Sequence, residues 1–422
     1  MQPLKFNLIS TSSSIEKQIV IAGAGPSGVS TSLFLSKQKI PHLIIDKAKF
    51  PRDKICGDAI SGKVLDTLTK YDPAFVKEHF EGRENLLPAF GITFYAPNGK
   101  NVDIGFPSSA TDSPGYISRR LHFDQLIFDH LDTEFAEIWQ KAELLDAVQK
   151  TEGITLTVRH NGIQKQVNTS LAIAAEGSRS VIAKQVGGTT VEEKHYCAGI
   201  RAYYSGVEGM HPQNYLELHF INELLPGYFW IFPLPGGSCN VGMGMLSSKV
   251  SQKKVNLRKE LLRLVTEHPV LKQRFKNARP EGKIQGWGLP LGSKKRSLSG
   301  SNYLLTGDSG YLIDPFTGEG IGNAFVSGML AAKVAAEAIA ANDFSARHLF
   351  GYDTMVYTKL WDELKLSRTL QQLSAVPPLF NFVVNKISGS ESLQEVFTTM
   401  YNDVEVRAQM KNPLFYFRLL FN

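Results

Sequence analysis

Residues 18–46 limit what this chain can fold into more than any other stretch. Gln18-Ile19-Val20-Ile21-Ala22 is a short, mostly apolar run, the pattern of a parallel strand covered on both faces. It leads into Gly23-Ala24-Gly25-Pro26-Ser27-Gly28, whose glycines have the spacing G-x-G-x-x-G. Gly23 permits a tight turn, Gly25 lets backbone approach a phosphate, and Gly28 lets the next helix lie close to the strand. The spacing predicts a helix over Val29–Lys37, with free N–H groups at its start facing a pyrophosphate. A second apolar run, His42-Leu43-Ile44-Ile45, ends at Asp46. An acid about 20 residues beyond the glycines suits the ribose hydroxyls of a dinucleotide. Lys47 follows it rather than an arginine, which disfavours a 2′-phosphate. Strand, glycines, helix, strand and acid in this order point to a nucleotide-binding βαβ unit, where the glycine motif alone would not.

A second glycine-rich region lies far along the chain. Tyr303-Leu304-Leu305-Thr306-Gly307-Asp308 is followed by Asp314-Pro315-Phe316-Thr317-Gly318-Glu319-Gly320-Ile321. Two such regions on one sheet suit an extended cofactor held at both ends, which points to FAD and redox chemistry. Gly318 and Gly320 open into an expected helix, Ile321–Ala341. Its positive N-terminal end, aimed at a reduced flavin ring, would stabilise the anionic form.

Composition excludes several classes. Lys and Arg number 46 against 40 Asp and Glu, a net charge of +6, too mild to argue for nucleic acid. Cys56, Cys197 and Cys239 are too few and too scattered for a disulfide framework, and they suit a reducing compartment. No C-x-x-C or H-E-x-x-H pattern occurs, so no structural metal is expected. Met1–Lys17 does not read as a secretory signal, and no run approaches 18 continuous apolar residues.

The fold class expected is α/β, a Rossmann-like FAD-binding domain with an inserted antiparallel β-sheet substrate domain and a C-terminal helical segment. Residues 1–85, 110–190 and 285–342 are assigned to the discontinuous FAD-binding domain. Residues 86–109 and 191–284 are assigned to the substrate sheet, and 343–422 to the helical region. A helix is expected over Asn256–Arg274, capped by Asn256. The aromatic stretch Tyr228-Phe229-Trp230-Ile231-Phe232 would put Tyr228, Trp230 and Phe232 on one sheet face, a wall suited to an apolar ligand. The tip Asn412–Asn422 is almost wholly apolar and aromatic. It suits either a docked terminal helix or contact with a membrane interface.

These motifs resemble the FAD-dependent oxidoreductases with the para-hydroxybenzoate hydroxylase type of fold, and within them the geranylgeranyl reductase family. The family's R-x-x-F-D helix matches Arg120, Phe123 and Asp124, and its Asp-Gly pair appears as Glu176-Gly177. Gly307-Asp308 matches its Gly-Asp motif, and Asp314, Pro315, Gly318, Gly320 and Ile321 match its D-P-x-x-G-x-G-I loop. Lys54-Ile55-Cys56-Gly57 is similar to its K-x-C-G loop, with Asp58 where many members have Gly. Pro226 to Pro233 is similar to its P-x-Y-x-W-x-F-P strand.

The resemblance implies non-covalent FAD held by Gly23, Gly25, Pro26, Ser27, Gly28, Asp46, Lys47, Cys56, Gly57, Arg120, Gly177, Gly307, Asp308, Gly318, Gly320 and Ile321. It implies Cys56 and Lys54 as catalytic residues, with Lys54 lowering the thiol pKa and Cys56 donating a proton; otherwise Cys56 is a small buried hydrophobe. Tyr228, Trp230, Phe232 and Pro315 would bind substrate. The implied activity is reduction of carbon–carbon double bonds in a prenyl or polyene lipid. The electron donor would be NAD(P)H or ferredoxin, and the setting cytoplasmic, peripheral to the inner membrane face. The alternatives are a flavin-dependent monooxygenase or halogenase, and a non-catalytic or electron-relay flavoprotein.

Overall fold

The computed structural model describes residues 14–106 and 115–390; the apolar tip at 412–422 lies outside them. The first strand, Ile15–Ala22, pairs in parallel with His42–Ile45 on one side and Ile163–Ala174 on the other. Tyr303–Leu305 adds to the far side of Ile163–Ala174, and Ala136–Trp139 to the far side of His42–Ile45, both parallel. Ser299–Gly300 closes one edge, and the antiparallel pair Ala142–Lys150 and Gly153–His160 branches from Ile163–Ala174, giving eight strands. The apolar runs read from sequence are the buried centre of this sheet: Ile19, Val20 and Ile21 are all 0% exposed.

The helix after the glycine loop begins at Pro26, three residues earlier than expected, and ends at Lys37. Proline at a helix start loses no hydrogen bond, which permits the earlier beginning. This helix packs against Ile321–Ala341. Ser30 Oγ donates to Phe325 O at 2.7 Å, and a Cβ added at Gly328 would lie 2.4 Å from Ser27 O. The Ile321–Ala341 helix is long and apolar enough to cross a membrane by length and composition. Here Ala331, Ala332, Ala335 and Ala338 are buried, so that apolarity serves a protein core.

A second sheet has seven strands in the order Arg279–Pro290, Tyr196–Ser205, Ser238–Leu246, Tyr228–Pro233, Leu216–His219, Gly91–Tyr95 and Asn101–Gly105. Its neighbours are antiparallel except Leu216–His219 with Gly91–Tyr95, which run parallel. The Arg279–Pro290 strand continues past position 284, where the sequence reading ended the substrate sheet. A small sheet of Ala59–Ser61, Gly115–Ile117 and Leu87–Pro88 lies between the regions in sequence. The helix expected over 256–274 is interrupted. Leu257–Glu267 is capped by Asn256, whose Oδ1 accepts from Lys259 N at 3.1 Å, and the chain leaves the helix at His268. The following Pro269 disfavours αR geometry at His268, which is extended, and helix resumes only over Leu271–Arg274. Helices Ala346–Ser374 and Pro377–Ser388 complete the described chain. The second turns Phe380, Val384 and Ile387 onto the core beneath the second sheet.

Candidate cofactor and substrate site

One cavity of about 1240 Å³ touches both large sheets. Small-molecule pockets ordinarily hold about 300–1,000 Å³, so there is room for a cofactor and part of a second ligand.

Its polar end is built by the βαβ unit. Gly23 takes φ +103, and a Cβ there would lie 2.2 Å from Ala175 O, so only glycine fits. Ala24 N donates to Asp46 Oδ2 at 2.8 Å, and Ala48 N donates to Asp46 Oδ1 at 2.8 Å. The Asp46 carboxylate thus braces the glycine turn as well as bordering the cavity. Gly25 begins the Pro26–Lys37 helix without a side-chain cap, which leaves N–H groups at that start for an anionic ligand.

Further along, Arg120 is buried and bidentate to Asp124, at 2.6 and 2.8 Å, while Arg52 reaches the same carboxylate at 2.5 Å. Burial opposes the Arg120 charge, but Asp124 and the hydrogen-bonded Cys56 sulfur together raise its pKa. Burial pulls Lys54 down to about 8, against the attraction of Asp308. Burial likewise lifts Asp308, with Lys54 and Arg120 opposing. Glu176 accepts from Ser180 Oγ and Val181 N, bracing the start of the short Val181–Gln185 helix, whose cap is Ser180 with Oγ accepting from Ala183 N; burial pushes Glu176 up to about 7.

The loop carrying Cys56 is fastened from beneath. Asp58 is 0% exposed at φ +69 and accepts from Tyr203 OH and Asn240 Nδ2, both at 2.8 Å. Asn240 Nδ2 also donates to Cys56 O at 2.7 Å, and its Oδ1 accepts from Trp230 Nε1 at 2.9 Å. One amide therefore joins the cysteine loop to the aromatic strand. Burial pushes Asp58 up to about 6, although Asn240, Tyr203, Arg201 and Arg120 favour its charge. Gly57 lies under Phe232, where a Cβ would come within 3.0 Å of the ring.

The Asp314–Gly320 loop is shaped by Asp314, whose Oδ1 accepts from Phe316 N, Thr317 N and Thr317 Oγ1 at 2.8–3.0 Å. Burial lifts Asp314 to about 6. Tyr228 OH donates to Thr317 O at 2.5 Å, tying this loop to the second sheet. The Ile321–Ala341 helix start, expected to carry positive charge toward the flavin, is partly capped: Glu319 Oε1 accepts from Gly322 N at 2.6 Å and Ser61 Oγ at 3.0 Å. Beyond this loop the cavity becomes an apolar chamber. Tyr228, Trp230 and Phe232 line one side, and Phe380, Val384 and Ile387 line the other.

Of the residues expected at the site, Gly23, Gly25, Pro26, Ser27, Asp46, Lys47, Lys54, Cys56, Gly57, Arg120, Gly177, Asp308, Gly318, Gly320 and Ile321 border the cavity, as do Tyr228, Trp230 and Phe232. Three do not. Gly28 lies behind the turn, where a Cβ would sit 1.8 Å from Gly23 O, and Gly307 packs at φ +52 against Ser27 and Ala324. Both shape the cradle from outside. Pro315 is turned away, with its carbonyl accepting from Gln371 Nε2 at 2.6 Å, and Phe316 borders the chamber instead. Sequence reasoning also missed Asn240 as a linking residue. Its signal was a lone amide in the buried strand Cys239–Met245, where an unpaired polar group is costly.

Residues 16–224 match the FAD binding domain family. Digeranylgeranylglycerophospholipid reductase of Methanococcus aeolicus is 30% identical over 369 residues, covering 85% of this chain and 88% of that one. Menaquinone reductase of Mycobacterium tuberculosis is 29% identical over 330 residues, 75% and 76% of the two chains. A geranylgeranyl bacteriochlorophyll reductase-like protein of Thermoplasma acidophilum superposes with a TM-score of 0.79 at 22% identity, over 94% of this chain and 99% of that one. A flavin-dependent brominase superposes at 0.72 with 18% identity, over 96% and 99%. At such identities the two structures show the shared fold alone. The cradle fits FAD: a glycine turn that tolerates no Cβ, an uncapped helix start, and acids at Asp46 and Asp308. Bound there, FAD supplies hydride chemistry, which the surrounding residues orient and tune. The chain is an FAD-dependent oxidoreductase and belongs to the geranylgeranyl reductase family.

Proposed function

We propose that this protein reduces carbon–carbon double bonds in a long prenyl or polyene lipid, with hydride delivered from reduced FAD. The observation that carries the reading is the continuity of the cofactor cradle with an apolar chamber walled by Trp230 and Phe232 on one side and Phe380 and Val384 on the other. An extended apolar chain gains by leaving water for such walls. The name of the relative from M. aeolicus points to the same substrate class. Work on such a lipid would take place in the cytoplasm, peripheral to the inner membrane face.

Reduction adds hydride to one carbon and a proton to the other. In this reading Cys56, which borders the cavity, gives the proton from Sγ. The Arg120 guanidinium at that sulfur stabilises the thiolate left behind. Lys54, protonated below about pH 8, returns a proton. Tyr228 holds the Asp314–Gly320 loop against the chamber.

The test is a single turnover of dithionite-reduced enzyme under argon, with flavin reoxidation by a prenyl lipid followed by absorbance. Cys56→Ser keeps the size but provides a weaker acid, so its reoxidation should slow by about tenfold or more while FAD content stays. An unchanged rate removes Cys56 from proton transfer. Label from ¹⁸O₂ appearing in a product would replace the reductase reading with a monooxygenase.

A further inference from the structure

Cys56 is held at two points. Arg120 hydrogen-bonds to its sulfur, and Asn240 Nδ2 donates to its carbonyl at 2.7 Å. The first contact acts on the thiol directly. The second fixes the backbone from which the thiol projects, and it depends on Asp58, a residue that does not border the cavity. Asp58 holds φ +69, in the left-handed region that residues other than glycine adopt at a cost. Strain of that kind persists only where the surroundings fix the residue.

Asn240 is 0% exposed, so its amide must find its partners inside the protein. One Nδ2 hydrogen goes to Cys56 O and the other to Asp58 Oδ2, at 2.7 and 2.8 Å. Asn240 Oδ1 accepts from Trp230 Nε1 at 2.9 Å. Flipped, the amide would set its oxygen against two acceptors and turn its NH₂ group toward the indole donor. Asp58 and Trp230 therefore allow one orientation of the amide, the one that reaches Cys56. Asp58 is itself anchored from two sides. Tyr203 OH donates to the same Oδ2 at 2.8 Å, and Ser118 N donates to Asp58 O at 3.0 Å.

We infer that Asp58, acting through Asn240, is the positioning residue that keeps the Cys56 thiol at the Arg120 guanidinium, where it serves as proton donor. The inference rests on the reductase reading. In the step it serves, one alkene carbon takes hydride from reduced FAD and the other takes the Cys56 proton, leaving the thiolate. Without the Asp58 carboxylate, one Nδ2 hydrogen loses its acceptor, the amide is free to turn, and the Cys56 carbonyl is released. The sulfur then leaves Arg120, whose charge favours the thiolate.

The experiment uses FAD-loaded full-length protein: wild type, Asp58→Gly and Asp58→Asn. Glycine adopts positive φ without strain, so Asp58→Gly removes the carboxylate alone. Asparagine also tolerates that conformation and returns an acceptor oxygen. In single turnovers of dithionite-reduced protein at increasing prenyl lipid, the limiting reoxidation rate of Asp58→Gly should fall about tenfold. Its half-saturating lipid concentration and FAD content should stay at wild-type levels, and Asp58→Asn should return to within about threefold of the wild-type rate. Without lipid, methyl methanethiosulfonate labels thiolates, and the label on Cys56 is read by peptide mass spectrometry. Labelling should slow about fivefold or more in Asp58→Gly but not in Asp58→Asn. Faster labelling would show a thiol merely uncovered by a loosened loop, and would overturn the inference. So would labelling of Asp58→Gly at the wild-type rate, no label on Cys56 in wild type, a defect shared by Asp58→Asn, loss of FAD from Asp58→Gly, or an unchanged limiting rate where prenyl lipid does reoxidise wild type. If labelling behaves as expected while prenyl lipid fails to reoxidise wild type, the substrate reading falls and the positioning of Cys56 stands.

Discussion

Asp58→Asn should flatten a defined part of this protein's pH–stability curve. Asp58 is fully buried, and burial lifts its pKa from 3.8 to about 6. A carboxyl with a raised pKa binds its proton more tightly when folded. Its contribution is therefore fully present below about pH 4 and is lost as pH rises through about 6. At about 1.36 kcal/mol for each pH unit, the loss is about 3 kcal/mol. Asparagine keeps an oxygen for Tyr203 OH and Asn240 Nδ2, and carries no charge to desolvate. The two nearby cations stay paired, Arg120 with Asp124 and Arg201 with Asp53. Urea titrations of FAD-saturated wild type and variant between about pH 4 and pH 8 should diverge. The variant should gain on wild type by about 3 kcal/mol toward the alkaline end. Parallel curves would mean that Asp58 ionises freely in the folded protein, and the argument from its burial would fail.

Three further substitutions probe the cradle and chamber. Asp308→Ala removes a half-buried acceptor from the cradle and should weaken FAD binding by roughly 10- to 100-fold, read as flavin absorbance per protein after gel filtration. Gly28→Ala places a methyl group 1.8 Å from Gly23 O; protein recovered without FAD, or none recovered soluble, is expected, and normal flavin content would contradict the packing. Gly242→Ala puts a methyl group 2.2 Å from Trp230 Cζ2 and 2.3 Å from Ile200 O, so both Trp230 and the neighbouring strand must shift. The KM for a long-chain substrate should rise with FAD content intact, and stability should fall by about 1–3 kcal/mol.

The cofactor half of the site is legible in the sequence because it is local. Gly23 to Asp46 is one βαβ unit, and its glycines carry steric meaning without knowledge of the rest of the chain. The Asp46 bond to Ala24 N is also short-range, yet the spacing gives only a ribose ligand and not a brace for the turn. The linkage through Asn240 was not legible, because Asp58 and Asn240 are separated by 182 positions. A lone amide in a buried strand announces a partner without naming it. Pro315 was misplaced for a similar reason: its loop is set by Asp314 and by Gln371 on a distant helix. Periodicity showed helices after position 343, but not that Phe380, Val384 and Ile387 would line the chamber. Pro269 did announce the break after His268, a local cue outweighed by the apolar pattern on either side.

The chamber draws its walls from two stretches of chain far apart in sequence. Trp230 and Phe232 belong to a strand bonded to the cysteine loop through Asn240, so change there reaches the redox centre. Phe380, Val384 and Ile387 sit on a helix after the last cofactor-binding motif, and trimming or enlarging them reshapes the cavity while the cradle stays as it is. That helix is therefore the place where the length and bulk of what the chamber admits can be altered apart from the cofactor cradle.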